Sequence, residues 1–171
     1  MAALLAAAPA AGPTRVLAID GRSGAGKSTL AATLAAALEA PLVSFEDLYG
    51  GWDGLEHGIE LARREVLEPL ARGESAAVPR YDWEAREWTP AWTLTAPALL
   101  VIEGVGAGAR ALAPHTSVLA WLESGEDARR ERALARDGDL YAPHWHRWAI
   151  QEDAYIEREA PRERADLVIE V

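Results

Sequence analysis

The stretch Gly21-Arg22-Ser23-Gly24-Ala25-Gly26-Lys27-Ser28 constrains this chain more than any other, because it satisfies G-x-x-x-x-G-K-[ST] in full. It follows an apolar run, Val16–Ile19, and opens an Ala- and Leu-rich helical pattern, Lys27–Ala40, which Pro41 stops. Glycines at this spacing let the backbone wrap an anion with its N–H groups turned inward. The new helix adds its unsatisfied N–H groups and the positive end of its dipole. Lys27 supplies a compact cation for β- and γ-phosphates, and the Ser28 hydroxyl can ligate Mg²⁺. Gly21, Ser23, Gly24, Ala25, Gly26, Lys27, Ser28 and Thr29 are therefore expected to contact the phosphates of ATP or another nucleoside triphosphate, with Mg²⁺. Sixteen arginines stand against one lysine, and that lysine is Lys27, at the place the loop requires it.

Around this loop, short apolar runs alternate with helical patterns. Leu42–Phe45, Leu99–Ile102, Val118–Leu122 and Leu167–Val171 read as strands beside the buried strand Val16–Ile19. Gly54–Arg72 fits an amphipathic helix, with Leu55, Ile59, Ala62, Val66 and Leu70 on one face and Gly73 closing it; Pro69 suits only its last turn. Charged helices are expected at about 126–137 and 143–159. Strands separated by helices argue for βαβ units and a parallel sheet, hence one α/β domain over 15–171 preceded by a tail or short helix at 1–14.

Composition closes several function classes. The 171 residues carry no cysteine, which removes disulfide scaffolds, thiolate zinc sites and cysteine nucleophiles. The formal net charge of −10 argues against a general nucleic-acid-binding surface. Hydrophobic residues make up 50%, but thirty-six residues are alanine, and no apolar run reaches the roughly 20 residues that span a bilayer. The first basic residue is Arg15, so the Ala-rich start lacks the basic region of a secretory signal. A cytoplasmic protein acting on a small molecule, with neither nucleic acid nor membrane as partner, is expected. With no lysine after Lys27 there is no N-K-x-D motif, which excludes a guanine-specific GTPase of the usual kind.

Acids stand where the third and second strands leave the sheet. Leu99-Leu100-Val101-Ile102-Glu103-Gly104 ends in a carboxylate that can hold Mg²⁺ in the manner of a Walker B acid. Ser44-Phe45-Glu46-Asp47-Leu48-Tyr49 places two adjacent carboxylates at the edge where ligands of parallel sheets collect. Either Glu46 or Asp47 can accept the proton of an attacking hydroxyl. Successive residues of an extended segment point opposite ways, so one of the two is expected to face the substrate.

Taken in order, DGRSGAGKST, EDLY, PRYDW (Pro79–Trp83) and VIEG resemble the uridine kinase family and its nucleoside- and metabolite-kinase relatives, over about residues 16–137. The resemblance implies a three-layer P-loop NTPase sandwich with a five-stranded parallel sheet in the order 2-3-1-4-5. It also implies an ATP- and Mg²⁺-dependent phosphotransferase acting on a hydroxyl. Glu46 occupies the place of the family's catalytic Asp, with Asp47 next to it. Tyr81 and Asp82 match the family's acceptor-site tyrosine and acid, and Tyr49 belongs to the matched turn. Arg86 stands near the place of the family's base-reading His. The resembling kinases close an arginine-containing lid over the triphosphate, and the segment Arg132 through Asp137 is similar to its end. Arg129, Arg132 and Arg136 share a helix face, and Arg132 and Arg136 are the expected triphosphate contacts within a lid at about 126–150. A nucleoside monophosphate, an antibiotic or another metabolite remains open as acceptor, as does a nucleotide-binding module without transfer.

Two stretches stay outside this scheme. Trp83, Trp88 and Trp92, with Tyr81, Arg80 and Arg86, form an aromatic-rich segment without a helix or strand pattern, able to stack a flat ring or to pack the edge of the domain. His144 and His146 are expected on different sides of a helix, in packing or lid contacts rather than at a metal.

Overall fold

Successive residues of the first strand point to opposite faces, and this alternation sorts the core into two layers. The computed structural model describes residues 6–171, excepting the side chains of Leu134 and residues 136–142. Strand β1 (Arg15–Gly21) sits at the centre of a five-stranded sheet, between β5 (Leu99–Glu103) and β6 (Val118–Glu123). Strands β2 (Leu42–Ser44) and β7 (Leu167–Glu170) form its edges. Every pairing in this sheet is parallel. Numbering only its own strands in chain order, the sheet runs 2-3-1-4-5, the expected topology.

Leu17 and Ile19 face one side, with Val101, Val118, Ala120 and Leu122, and pack on Ala31 and Ala35 of α1 (Lys27–Ala37). Val16 and Ala18 face the other, where Leu100, Ile102 and Leu119 meet Phe45 and Leu48. That second layer is completed by α2 (Leu55–Leu61) and by Trp148 and Tyr155 of α4 (Trp145–Glu159). Burying each large aliphatic side chain here contributes about 1.5–3 kcal/mol. Helix α3 (Glu126–Tyr141) precedes α4, and a short α5 (Pro161–Arg164) leads into β7.

Three local outcomes differ from the sequence reading. Helix α1 ends at Ala37 rather than Ala40, because Glu39 turns into the left-handed region (φ 50°) and Ala40 N–H returns to Ala35 O at 2.9 Å. The helix predicted over 54–72 widens after α2 into a π-helical stretch, Ala62–Leu67, before Glu68–Ala71. Pro69 has no N–H to give the carbonyl four residues back, and Glu68 N–H instead reaches Arg63 O, five residues back.

The third difference is a β-hairpin where no strand was expected. β3 (Ala76–Asp82) and β4 (Glu87–Leu94) pair antiparallel, with the register shifting between Val78 and Arg80. Pro79 and Pro90 obscure the signal, since proline suits only edges and bulges. The pair is separate from the main sheet and buries Ala76, Val78 and Leu94 against the second layer. Among the described residues, no helix is long and apolar enough to cross a membrane.

Candidate active site

The loop leaving β1 takes the shape that its glycines permit. Gly24 and Gly26 have φ of 77° and 97°, the left-handed region that disfavours side chains. A Cβ on Gly24 would stand 2.1 Å from Arg129 O, so the first turn of α3 lies directly on the loop. Lys27 is 8% exposed, and its Nζ donates to Arg22 O at 3.1 Å, which folds the ammonium back over the loop. Ala25 is buried at the centre of this turn, and Thr29 follows Ser28 into α1.

Glu103 ends β5 beside β1, with its carboxylate facing the start of α1. Ser44 Oγ donates to Glu103 Oε1 at 2.7 Å, and Ser28 Oγ to Oε2 at 3.3 Å. Burial pushes the Glu103 carboxyl above its usual range; the Lys27 charge and the Ser44 hydroxyl draw it down, Glu46 pushes it up, and Ser28 draws it down again. A hydroxyl and a carboxylate are hard oxygen donors that fit Mg²⁺. The Ser28–Glu103 pair offers them where a loop-bound triphosphate would bring its own oxygens.

The turn after β2 separates its two acids, not by strand alternation but because Phe45–Asp47 winds into a single 3-10 turn. Glu46 lines a cavity of about 500 Å³ that the glycine loop also lines. Asp47 does not line it and stands 3.8 Å from the Arg80 guanidinium. Partial burial raises the Asp47 carboxyl, Arg80 opposes this, and Glu46 adds to it. Tyr49 lies deeper, with its hydroxyl donating to Val105 O at 2.9 Å inside the protein.

The hairpin contributes one aromatic side chain to this cavity. Trp83 lines it and donates Nε1–H to Glu46 O at 2.9 Å, tying the hairpin to the acidic turn. Tyr81 makes edge contacts with Trp83 and Trp88 (centroids 5.5 and 5.2 Å) behind that wall. Asp82 Oδ1 accepts from Glu84 and Ala85 N–H, both at 2.9 Å, and so caps the hairpin turn. Arg86 takes φ 57° in the same turn and is exposed. Tyr81, Asp82 and Arg86 thus stand outside the described cavity lining, as do Trp88 and Trp92.

Of the α3 arginines, Arg132 lines the cavity, and its guanidinium lies 3.9 Å from where a Gly26 Cβ would be. It also bonds Ser124 Oγ and Ala128 O. The side chain of Arg136 lies outside the described residues. Arg129 is buried, donating from Nε to Ser124 O at 3.1 Å and from Nη1 to Ser23 O at 3.3 Å. Its place on the Arg132 face was the only signal for it in the sequence.

Two further carboxylates shape the loop. Glu152, 3% exposed, accepts on Oε1 from Ser23 N–H at 2.8 Å and from Trp148 Nε1–H at 2.9 Å. Asp20, fully buried, accepts from Gly21, Gly106 and Gly108 N–H and from Tyr155 O–H. Nothing in their spacing marks Glu152 or Tyr155, which arrive from α4. His144 stacks on Trp52 (centroids 4.5 Å, 16° between planes), a packing contact.

Comparison with known proteins bears on the fold. No protein-family model matches the chain, and no curated protein matches it. Solved structures do. A possible uridine kinase from Bacillus stearothermophilus is 23% identical with a TM-score of 0.70, over 96% of this chain and 92% of that one. A putative fructose transport system kinase from Silicibacter sp. TM1040 is 22% identical with a TM-score of 0.59, over 91% and 89%. An uncharacterised protein from Eubacterium ventriosum is 17% identical with a TM-score of 0.50, over 92% and 88%. The chain has the fold of P-loop kinases.

Proposed function

We propose that this chain is an ATP-dependent kinase that transfers the γ-phosphoryl group to a hydroxyl of a small molecule, with a nucleoside as the first acceptor to test. The observation that carries the reading is a single cavity with Lys27 and the paired Ser28 and Glu103 on its loop side and the Glu46 carboxylate also in its lining. Groups suited to hold phosphate and a carboxylate suited to take a proton thus share one enclosure, which supports the reading.

The loop amides from Gly21 to Thr29 and the Lys27 ammonium hold the triphosphate. Ser28 and Glu103 would hold Mg²⁺, which would supply charge withdrawal from the phosphates. Glu46 orients the acceptor hydroxyl and takes its proton as the oxygen attacks phosphorus in line. The new O–P bond forms as the bond to the β-phosphate oxygen breaks, and its electron pair leaves with ADP. Arg132, with Arg136 further along α3, offsets the charge that spreads over the equatorial oxygens. The segment 126–150 serves as the lid that excludes water.

Incubation with γ-labelled ATP, Mg²⁺ and a panel of nucleosides, nucleoside monophosphates and sugars tests this, with Lys27→Ala as the blank. Transfer to an acceptor by the native chain and its loss in the variant are expected. No transfer to any acceptor, or full turnover by Lys27→Ala, would overturn the reading.

A further inference from the structure

The phosphate loop begins with peptides that glycine leaves free to turn. Gly21 and Gly24 flank Arg22-Ser23 with φ of 146° and 77°, so no side-chain crowding at either end fixes the planes between them. Charged side chains from distant helices fix them instead. Glu152 of α4 accepts the Ser23 N–H on Oε1 at 2.8 Å, and Arg129 of α3 donates from Nη1 to the Ser23 carbonyl at 3.3 Å. An anion thus holds the donor end of this residue and a cation its acceptor end, and both side chains are buried.

Glu152 is itself held in place. The same Oε1 accepts Trp148 Nε1–H at 2.9 Å, one turn back along α4. Arg22 stands 3.9 Å from Oε2 and pairs more closely with Asp153, at 2.7 Å. Trp148 in turn packs edge-on against Tyr49, with centroids 4.7 Å apart. Ser23, Gly24 and Lys27 belong to the described lining of the cavity, whereas Glu152 lies behind it.

Through one peptide, Glu152 reaches Lys27. In a planar trans peptide the N–H and C=O point opposite ways. Fixing Ser23 N–H on Glu152 therefore turns the Arg22 carbonyl, the other pole of the same unit, away from α4. That carbonyl accepts from Lys27 Nζ and from Ala25 N–H, each at 3.1 Å. We infer that Glu152 is a positioning residue for Lys27: it aims the Arg22 carbonyl so that the ammonium is held over the loop before a triphosphate arrives. The consequence for nucleotide, a tighter grip on the triphosphate, rests on the kinase reading; the hold on Lys27 does not.

Lys27 is the one lysine of the chain, so protein grown on isotope-labelled lysine carries a single side-chain reporter. The Cε–Hε signals of Lys27, read by NMR on the full chain without nucleotide, should move toward those of free lysine in Glu152→Ala. Glu152→Gln keeps an acceptor oxygen at the same reach and should stay near the native signal. Glu152→Asp keeps the charge but withdraws the oxygen by one methylene, and should move with Glu152→Ala. It also answers the question where Glu152→Ala does not fold. The Kd for a non-hydrolysable ATP analogue with Mg²⁺, by titration calorimetry, should rise about tenfold in Glu152→Ala, rise likewise in Glu152→Asp, and stay within about threefold in Glu152→Gln.

A role through charge alone gives the reverse order, with Glu152→Asp like the native chain and Glu152→Gln like Glu152→Ala. That order, or a Lys27 signal unmoved in both Glu152→Ala and Glu152→Asp, would overturn the assignment. So would a nucleotide Kd that neither variant changes. A native chain that failed to bind the analogue would instead sink the kinase reading, and the lysine signal would still decide whether Glu152 holds Lys27.

Discussion

Replacing Tyr155 by Phe removes a single hydroxyl from the network that anchors the start of the phosphate loop. Tyr155 is fully buried, and its O–H donates to Asp20 Oδ2 at 2.6 Å, the same oxygen that accepts from Gly108 N–H at 2.8 Å. A hydrogen bond to a charged group is worth about 1.5–3 kcal/mol, and phenylalanine fills the same space. A loss of about 2 kcal/mol corresponds to a fall in Tm of roughly 4–8 °C for a chain of this size.

The loss depends on pH, and its sign follows from Asp20. Burial raises the Asp20 carboxyl above its ordinary 3.8, while the Tyr155 hydroxyl, the Gly21 and Gly108 amides and the Lys27 charge pull it back. Between the unfolded and native values the folded chain binds more protons, so stability falls as pH rises through that window and is level above it. Taking away the Tyr155 donor weakens the charged form more than the protonated one and extends the window upward. The Tm deficit of Tyr155→Phe should therefore be larger at the alkaline end of a pH series than at its acid end, read by circular dichroism melts. An unchanged Tm at the alkaline end, or equal deficits at the two ends, would refute the role given to this bond.

Three other outcomes follow from the site. Glu46→Ala should lower kcat by about 10²–10⁴, whereas Asp47→Ala, which removes a carboxylate outside the cavity lining, should stay within about threefold; steady-state kinetics separates them. Because burial raises the Glu103 carboxyl, the apparent Mg²⁺ affinity should weaken as pH falls through that raised value, and Glu103→Gln should abolish this dependence in Mg²⁺ titrations of activity. Gly24→Ala would press a methyl group against Arg129 O at 2.1 Å in a left-handed conformation; a raised ATP KM and a lowered Tm are expected.

The sheet and its phosphate loop could be read from the chain because their causes are local. Apolar runs of strand length, a glycine spacing and a lysine at the head of a helix act through neighbouring residues, and βαβ units made the sheet parallel, whereas its strand order came from the resemblance to a kinase family. The hairpin could not be read so, since its pairing of Ala76 with Leu94 and its burial against the second layer are long-range, and prolines masked its alternation. Spacing restricted the candidate base to two adjacent carboxylates, but Glu46 was separated from Asp47 only by the direction of the turn after β2 in three dimensions.

Local sequence thus determined the anion-binding loop, the parallel sheet around it and the presence of acids where strands leave that sheet. Tertiary structure alone decided which of those acids shares the cavity, and that Arg129, Glu152 and Tyr155 grip the loop and the end of β1. It also gathered Trp52, Trp83 and Trp148 into one wall. Bonds such as Ser23 N–H to Glu152 and Asp20 to Tyr155 join residues more than a hundred positions apart. Such contacts exist only after the sheet has brought α4 across its face, and no periodicity along the chain encodes them.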